Sequence, residues 1–461
     1  MCQFDLFGVF KLLWVHFEFL KCTRFFKGDN MLEKLLVGIA RRDITPEVGC
    51  QLFGYRPDLY SDGVNDRLTA TAFVFTCGEI NALMITVSVC LLDNEVTDFF
   101  RCEIEKKYNI PKDNILISAT HTHTGPSTIN MPGWGDIDRV YYEEILKPQV
   151  LSAVEEAINS KQEATVGIGV GKSKLGINRR HLNYLNYADL GQSEWGVYNP
   201  KMTVISFKNK AGKVFGNIIH YGCHGTVAGL STKISRDWAG VMTDALEGES
   251  GAITAFFNGP EGDVGPRIST GGTTADLSYI YEVGNIGAKD AVNIYNTIKE
   301  YKACTISTVS RELTLPYAKR ISYEEAKKGC EQFSLESINC DKQMAVYYNK
   351  VKDSYENGYI EKENFKLEQN VIRIGEAAFV GFPYELFSEI GLRVNEHIKD
   401  LHILSLSNTN GSLGYFPTQD QLCRGGYEIK MFKFNDVQSL VDDADFHLIS
   451  ETIETINKLE R

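Results

Sequence analysis

The sequence predicts a mixed α/β protein, with central β-sheets flanked by helices and a metal site at strand ends. Three observations carry that prediction. From about residue 35 onward, short apolar runs of strand length alternate with longer amphipathic stretches. Several of those runs end in Gly, Pro or small polar residues, and histidine or glutamate follows within a few positions. The 461 residues, 43% hydrophobic and 23% charged, are the composition of a globular chain able to bury a large core.

The first thirty residues stand apart from this pattern. The tract MCQFDLFGVFKLLWVHFEFLKC is rich in Phe and Leu, but Asp5, Lys11, His16, Glu18 and Lys21 interrupt it. A membrane span needs about twenty predominantly apolar residues, so this is a poor one. A basic start and a small-residue cleavage site, the marks of an export signal, are also missing. Met31 opens a cleaner start, so residues 1–30 are expected to be an extension and 31–461 a single domain.

Strands are then predicted over 71–77, 82–91 and 114–118, with helices over 95–107 and 141–160. A second group of strands is predicted at 165–170, 202–207, 214–220 and 252–258, with helices over 237–247 and 276–301. The polar stretch 323–366 (SYEEAKKGCEQF, KDSYENGYIEKENF) reads as a candidate helical insertion. Strand patterns return at 371–382 and 402–406, and 436–461 reads as a helical tail.

A net charge of −12 without a Lys/Arg stripe argues against nucleic-acid binding. Partners are expected to be a small-molecule or lipid substrate, with no stable membrane span. The 11 cysteines form no CxxC pair, so free thiols in a reducing, cytoplasmic setting are expected.

The residues able to do chemistry lie in five tracts. In SATHTHTGPS, a buried strand delivers His121 and His123 to a loop; the plain alternative is two loop histidines bonded to backbone. NIIHYGCHGT carries His220, read as a core histidine, and His224, whose place at the glycine turn suits metal ligation. AFVGFPYE puts Glu385 where a helix begins, so the carboxylate either binds a metal or stabilises the helix N-terminus. SNTNGSLGYFPT and NGPEGDVGPR, taken alone, read as ordinary surface turns. Together, imidazoles and a carboxylate at strand ends suit one zinc ion with a position left for water or substrate. No spacing here is as diagnostic as HExxH.

The order and wording of these tracts resemble the catalytic domain of the neutral/alkaline non-lysosomal ceramidases. The matching pieces are VGIARRDITP, FGYRPD, ISATHTHTGPS, INR, CHGTVAG, GDVGP, FPYE and SNTNGSLGYFPT…GGYE, in family order over roughly residues 36–430. The resemblance implies a zinc-dependent amidase with His121, His224, Glu385 and Tyr415 as metal ligands. It also implies that His123, Arg179 and Tyr427 contact substrate and stabilise charge near the metal. A group near the metal must protonate the departing amine, and His123 and Glu385 are both candidates. Three departures accompany it. Gly265 stands where the family has a serine, and Tyr384 precedes the glutamate where glycine is usual. The family's C-terminal β-sandwich has no counterpart in this sequence. Alternatives left open are a metal hydrolase of another amide or ester, such as a sugar or cell-envelope derivative, and a silent lipid- or glycan-binding relative.

Overall fold

The computed structural model describes residues 33–268 and 275–460. The extension read over residues 1–30 lies outside them. Along the chain the longer strands are β1 (Leu36–Asp43), β2 (Thr69–Cys77), β3 (Ile80–Val87), β4 (Ile115–Ala119), β5 (Gln162–Lys172), β6 (Gly176–Leu182), β7 (Ala188–Ser193), β8 (Lys201–Asn209), β9 (Val214–Tyr221), β10 (Ile253–Asn258), β11 (Val264–Pro266), β12 (Ile306–Pro316), β13 (Asn364–Ile374), β14 (Ala377–Gly381) and β15 (His402–Leu406). Eight form the central sheet in the order β10-β9-β8-β5-β1-β2-β3-β4, and β12-β13-β14-β15 form a second sheet. A third sheet, β7-β6-β11, is small.

The two main sheets share one apolar layer. Val37, Phe73, Phe75, Leu116, Phe207, Ile218 and Phe257 of the large sheet cluster with Ile372, Ile374, Phe379, Leu404 and Leu406 of the smaller one. Helices cover the outer faces. α1 (Asn94–Tyr108) and α2 (Lys147–Asn159) contribute to one outer cluster, and α3 (Asp237–Ser250) and α4 (Ser278–Thr297) to another. α5 (Tyr323–Gln332) and α6 (Asn339–Glu356) connect the paired strands β12 and β13. α7 (Ser388–His397), α8 (Tyr427–Lys433) and α9 (Ala444–Asn457) pack with the outer side of the second sheet.

Local chemistry explains the boundaries. Asp93 caps α1 by accepting from the Glu95 amide, while Val96, Phe100 and Ile104 recur every fourth residue on its buried face. Asn109 ends that helix in the left-handed conformation, at φ 55°. A reciprocal Ser322–Glu325 capping box starts α5.

Several sequence expectations need correction. The apolar run 371–382 is two antiparallel strands, because Gly375 turns the chain at φ +58° between β13 and β14. A continuous apolar pattern cannot show a turn whose two arms are both buried. The run 82–91 leaves the sheet after Val87. The stretch 323–366 ends in strand, not helix, and the tail is helical over Ala444–Asn457.

Candidate metal centre

Parallel strand pairs place the functional loops at one end of the sheets. β3 pairs with β4, β9 with β10, and β14 with β15, all parallel, and each pair is linked through a helix. Ligand sites in open α/β sheets form beyond the carboxyl ends of such strands. Here β4 leads to His121 and His123, β9 to His224, β10 to Glu261, β14 to Glu385, and β15 to Asn408 and Tyr415. A short parallel pairing of Glu385 with Tyr415 then fixes the last two loops against each other.

His121 is buried and holds φ +68°, a left-handed conformation uncommon for a residue with a side chain. Its amide donates to the Val89 carbonyl at 2.9 Å, locking the turn. The His224 loop is clamped from below. Asp237 accepts from the Ala228 amide at 2.8 Å, and the Trp238 indole donates to the His224 carbonyl at 2.8 Å.

The two imidazoles have their tautomers set by the backbone. His121 Nδ1 lies 2.9 Å from the Cys90 carbonyl, and His224 Nδ1 lies 2.8 Å from the Glu261 carbonyl. With both Nδ1 hydrogens committed there, each Nε2 is left as a lone pair. Glu385 Oε2 sits 3.3 Å from Nε2 of His121 and 3.0 Å from Nε2 of His224. Three acceptors facing one another require a cation or an added proton between them. The donor set therefore fits a metal ion, and ligand atoms of His121, His224 and Glu385 all lie within 4.8 Å of one another.

Charge follows the same logic. Burial opposes ionisation of Glu385, but His121 and His224 outweigh it and hold the carboxyl well below its ordinary range. Burial, with Arg179 and His121 nearby, depresses His224 to about 3, so it stays a neutral ligand. His121 is pushed the other way: burial disfavours its charged form, yet Cys90 and Glu385 carry its pKa well above the usual value. The centre thus holds a fixed negative charge and draws one positive charge to itself.

The remaining predicted residues gather here too. Tyr415 Oη is 3.3 Å from His224 Nε2 and accepts from Arg179 Nη2 at 3.0 Å. Burial and Glu385 raise its pKa well above the ordinary phenol value despite Arg179. Arg179 is fixed from behind by Glu428, which accepts from its Nε at 3.0 Å. His123 Nε2 is 3.2 Å from His121 Nε2, and the ring packs against Tyr55. Burial and the neighbouring imidazoles hold His123 well below its usual pKa. Tyr427 stands edge-on to Tyr415, with ring centroids 5.6 Å apart.

His220 lies outside the centre, its Nε2 on the Ser405 carbonyl at 2.8 Å, as the core reading expected. Tyr384 does not crowd the centre: its ring packs edge-on to Phe416 at 4.9 Å, in the core of the second sheet. Glu261, Asn408, Asp237 and Cys90 also border or support the centre. The tracts NGPEGDVGPR and SNTNGSLGYFPT are accordingly buried structure, not surface turns. Their signal was the unusual density of polar residues directly after apolar strands.

Known proteins are similar to this chain in sequence and in fold. The family model described as neutral/alkaline non-lysosomal ceramidase, N-terminal, matches residues 35–279. Neutral ceramidase A of Dictyostelium discoideum is 28% identical over 254 residues, half of this chain and 36% of that protein. The neutral ceramidase of Pseudomonas aeruginosa is 24% identical over 248 residues, half of this chain and 37% of that one. The matched part thus spans little more than a third of the length of these curated relatives. In fold, the crystal structure of neutral ceramidase from Pseudomonas aeruginosa is similar over 93% of this chain and 75% of that chain, with a TM-score of 0.71 at 18% identity. With the family model covering more than half of its length, and the tracts around His121 and His224 inside the matched region, this chain belongs to the neutral/alkaline non-lysosomal ceramidase family.

Proposed function

We propose that the protein is a zinc-dependent amidohydrolase that cleaves the amide bond of an N-acyl substrate, ceramide or a related lipid. One observation carries the reading: two imidazoles, each tied through Nδ1 to a backbone carbonyl, turn their free Nε2 atoms on a single carboxylate oxygen. His121, His224 and Glu385 would hold the ion, with Tyr415 as a further oxygen donor. Zinc in such a donor set acts as a Lewis acid and makes a hydrolytic nucleophile available near neutral pH.

The chain's own groups supply the rest. His123 Nδ1 is buried without a partner, so the ring proton is better placed on Nε2, facing the centre. From there it can donate to an oxygen that gains charge as the amide carbonyl becomes tetrahedral. Arg179 adds a fixed positive charge and keeps the Tyr415 hydroxyl turned toward His224. Tyr427, beside Tyr415, borders the same space. The departing amine must gain a proton as the C–N bond breaks, and His123 or Glu385 would relay it.

A second reading keeps the metal and changes the substrate to a different amide or ester. Gly265 favours it. A Cβ there would meet nothing nearer than Arg179 Cβ at 3.4 Å, so packing does not exclude the family's serine. The nine described cysteines are free thiols, which supports a cytoplasmic setting.

The test pairs metal content of protein purified without added metal with hydrolysis of a fluorescent short-chain N-acylsphingosine. About one zinc per chain with turnover supports the first reading. Zinc without turnover moves the assignment to other amides and esters. No zinc after reconstitution removes both.

A further inference from the structure

The hairpin that carries Arg179 also carries a concentration of exposed apolar side chains. Seven of the nineteen large hydrophobic side chains exposed among the described residues fall within positions 182–197. Tyr184 is 93% exposed, Leu185 70% and Trp195 97%, with Leu190 and Val197 about half exposed. Scattered singly, such side chains need no explanation, but a cluster that includes Trp and Tyr marks an interaction surface.

The backbone holds these residues out. At the tip, between β6 and β7, the Asn183 side-chain carbonyl accepts from the Leu185 amide at 2.9 Å and from the Tyr187 amide at 3.2 Å. Asn186 turns the chain there at φ +59°. Tyr187 packs back on the body, where a Cβ on Gly425 would collide with its ring. After β7, the Asn178 side chain donates to the Val197 carbonyl at 2.7 Å and lies against Gly196, while the Trp195 ring stays in solvent. The same hairpin borders the metal centre. Asn178 is the neighbour of Arg179, and Gly425 stands two residues before Tyr427. Tyr184 is five residues along the chain from Arg179, at most about 18 Å.

Charge narrows the partner. Positions 181–197 contain no Lys or Arg. Glu194 is engaged by Arg267 at 2.9 Å, and Asp189 accepts from the Asn183 side-chain amide at 2.9 Å. Such a surface gains nothing from anionic headgroups, and the chain as a whole, at −12, is repelled by them. A zwitterionic surface asks only for apolar insertion, with Trp and Tyr at headgroup depth. We propose that the 182–197 hairpin docks on a zwitterionic lipid surface, inserting Tyr184, Leu185 and Trp195, and so brings the metal centre to membrane-held substrate. The choice of a lipid partner rests on reading the substrate as an N-acyl lipid.

The test is cosedimentation of the full chain with phosphatidylcholine vesicles, which needs no turnover, beside hydrolysis of dispersed short-chain N-acylsphingosine. The wild type should bind, with little change between low and high salt. Tyr184→Ser, Leu185→Ser and Trp195→Ser combined should weaken binding by at least about tenfold. Tm, zinc content and turnover of dispersed substrate should stay unchanged in that variant, because the three side chains stand in solvent. Both proteins share residues 1–30, so the difference reports the hairpin alone. Trp195→Phe should keep most of the binding and lose the vesicle-induced blue shift of tryptophan emission. Hairpin-dependent binding without any turnover would sink the amidase reading and support this one. Equal binding by the wild type and the triple variant would overturn the proposal, as would a wild type that does not bind. Hairpin-dependent self-association in light scattering, without vesicle binding, would overturn it in favour of a second copy.

Discussion

Gly225 lies so close to His121 that a Cβ on it would stand 2.6 Å from the His121 carbonyl oxygen. The two loops run side by side, with Thr122 bridged to Gly225 and the His123 amide donating to the Gly225 carbonyl at 3.1 Å. Glycine is what lets the His121 and His224 loops approach this closely.

Gly225→Ala should therefore separate the ligand loops. We expect a stability loss of about 1–3 kcal/mol from overpacking and zinc content well below that of the wild type. Elemental analysis with a melting curve checks both; full zinc occupancy at unchanged Tm would show that the loops give way at no expense to the site.

Glu385→Ala removes the carboxylate on which both imidazoles converge. Zinc affinity should fall by more than about a hundredfold, the upper end for losing an outer-shell partner, and hydrolysis should fall with it. Activity retained at normal zinc content in this variant would remove Glu385 from the ligand set.

Gly265→Ser places a Cβ at ordinary contact distance from Arg179, whose own Cβ is the nearest atom at 3.4 Å. The variant should fold with unchanged zinc content, and any weak hydrolysis of N-acylsphingosine should rise. An unchanged rate would show that this glycine does not set substrate choice.

Burial raises Asp263 from 3.8 to about 7, although it accepts from the Ser388 amide and hydroxyl and from the Asn178 side chain. The folded state then binds more protons than the unfolded one between those two values, so stability falls as pH rises through the window. Asp263→Asn lacks that titration. Denaturation midpoints should show the wild type losing ground to the variant from pH 4 to pH 7; a difference that grows in the wild type's favour would mean the hydrogen bonds outweigh burial.

Chelation should lower Tm, since a ligand at about 100 times its Kd stabilises the folded state by about 2.7 kcal/mol. Re-adding zinc should restore it. A Tm indifferent to metal would place ion binding outside the folded centre.

Periodicity carried much of this molecule. The strands ending near His121, His224 and Glu385 were readable because apolar runs of strand length stop at turn residues. The ligand assignment came from the likeness of whole tracts, since no two ligands stand at a diagnostic spacing. Tyr384 stands where the resemblance has glycine. It lies in the bend just before the short strand Glu385–Leu386, and its ring goes to the core of the second sheet. Glu261 and Asn408 were illegible for a different reason. Polar residues in a Gly/Pro-rich tract look solvated, and only the docking of the second sheet on the first buries them. Gly375 shows the complementary failure, a hairpin hidden inside an unbroken apolar run.

His121, His224 and Glu385 follow β4, β9 and β14, which lie in two different sheets, so no early stretch of the chain contains the whole cluster. A polypeptide released after residue 279, where the family match ends, would own both imidazoles but lack Glu385 and Tyr415. On the proposed ligand set, metal capture would follow docking of the second sheet, and occupancy would report that docking.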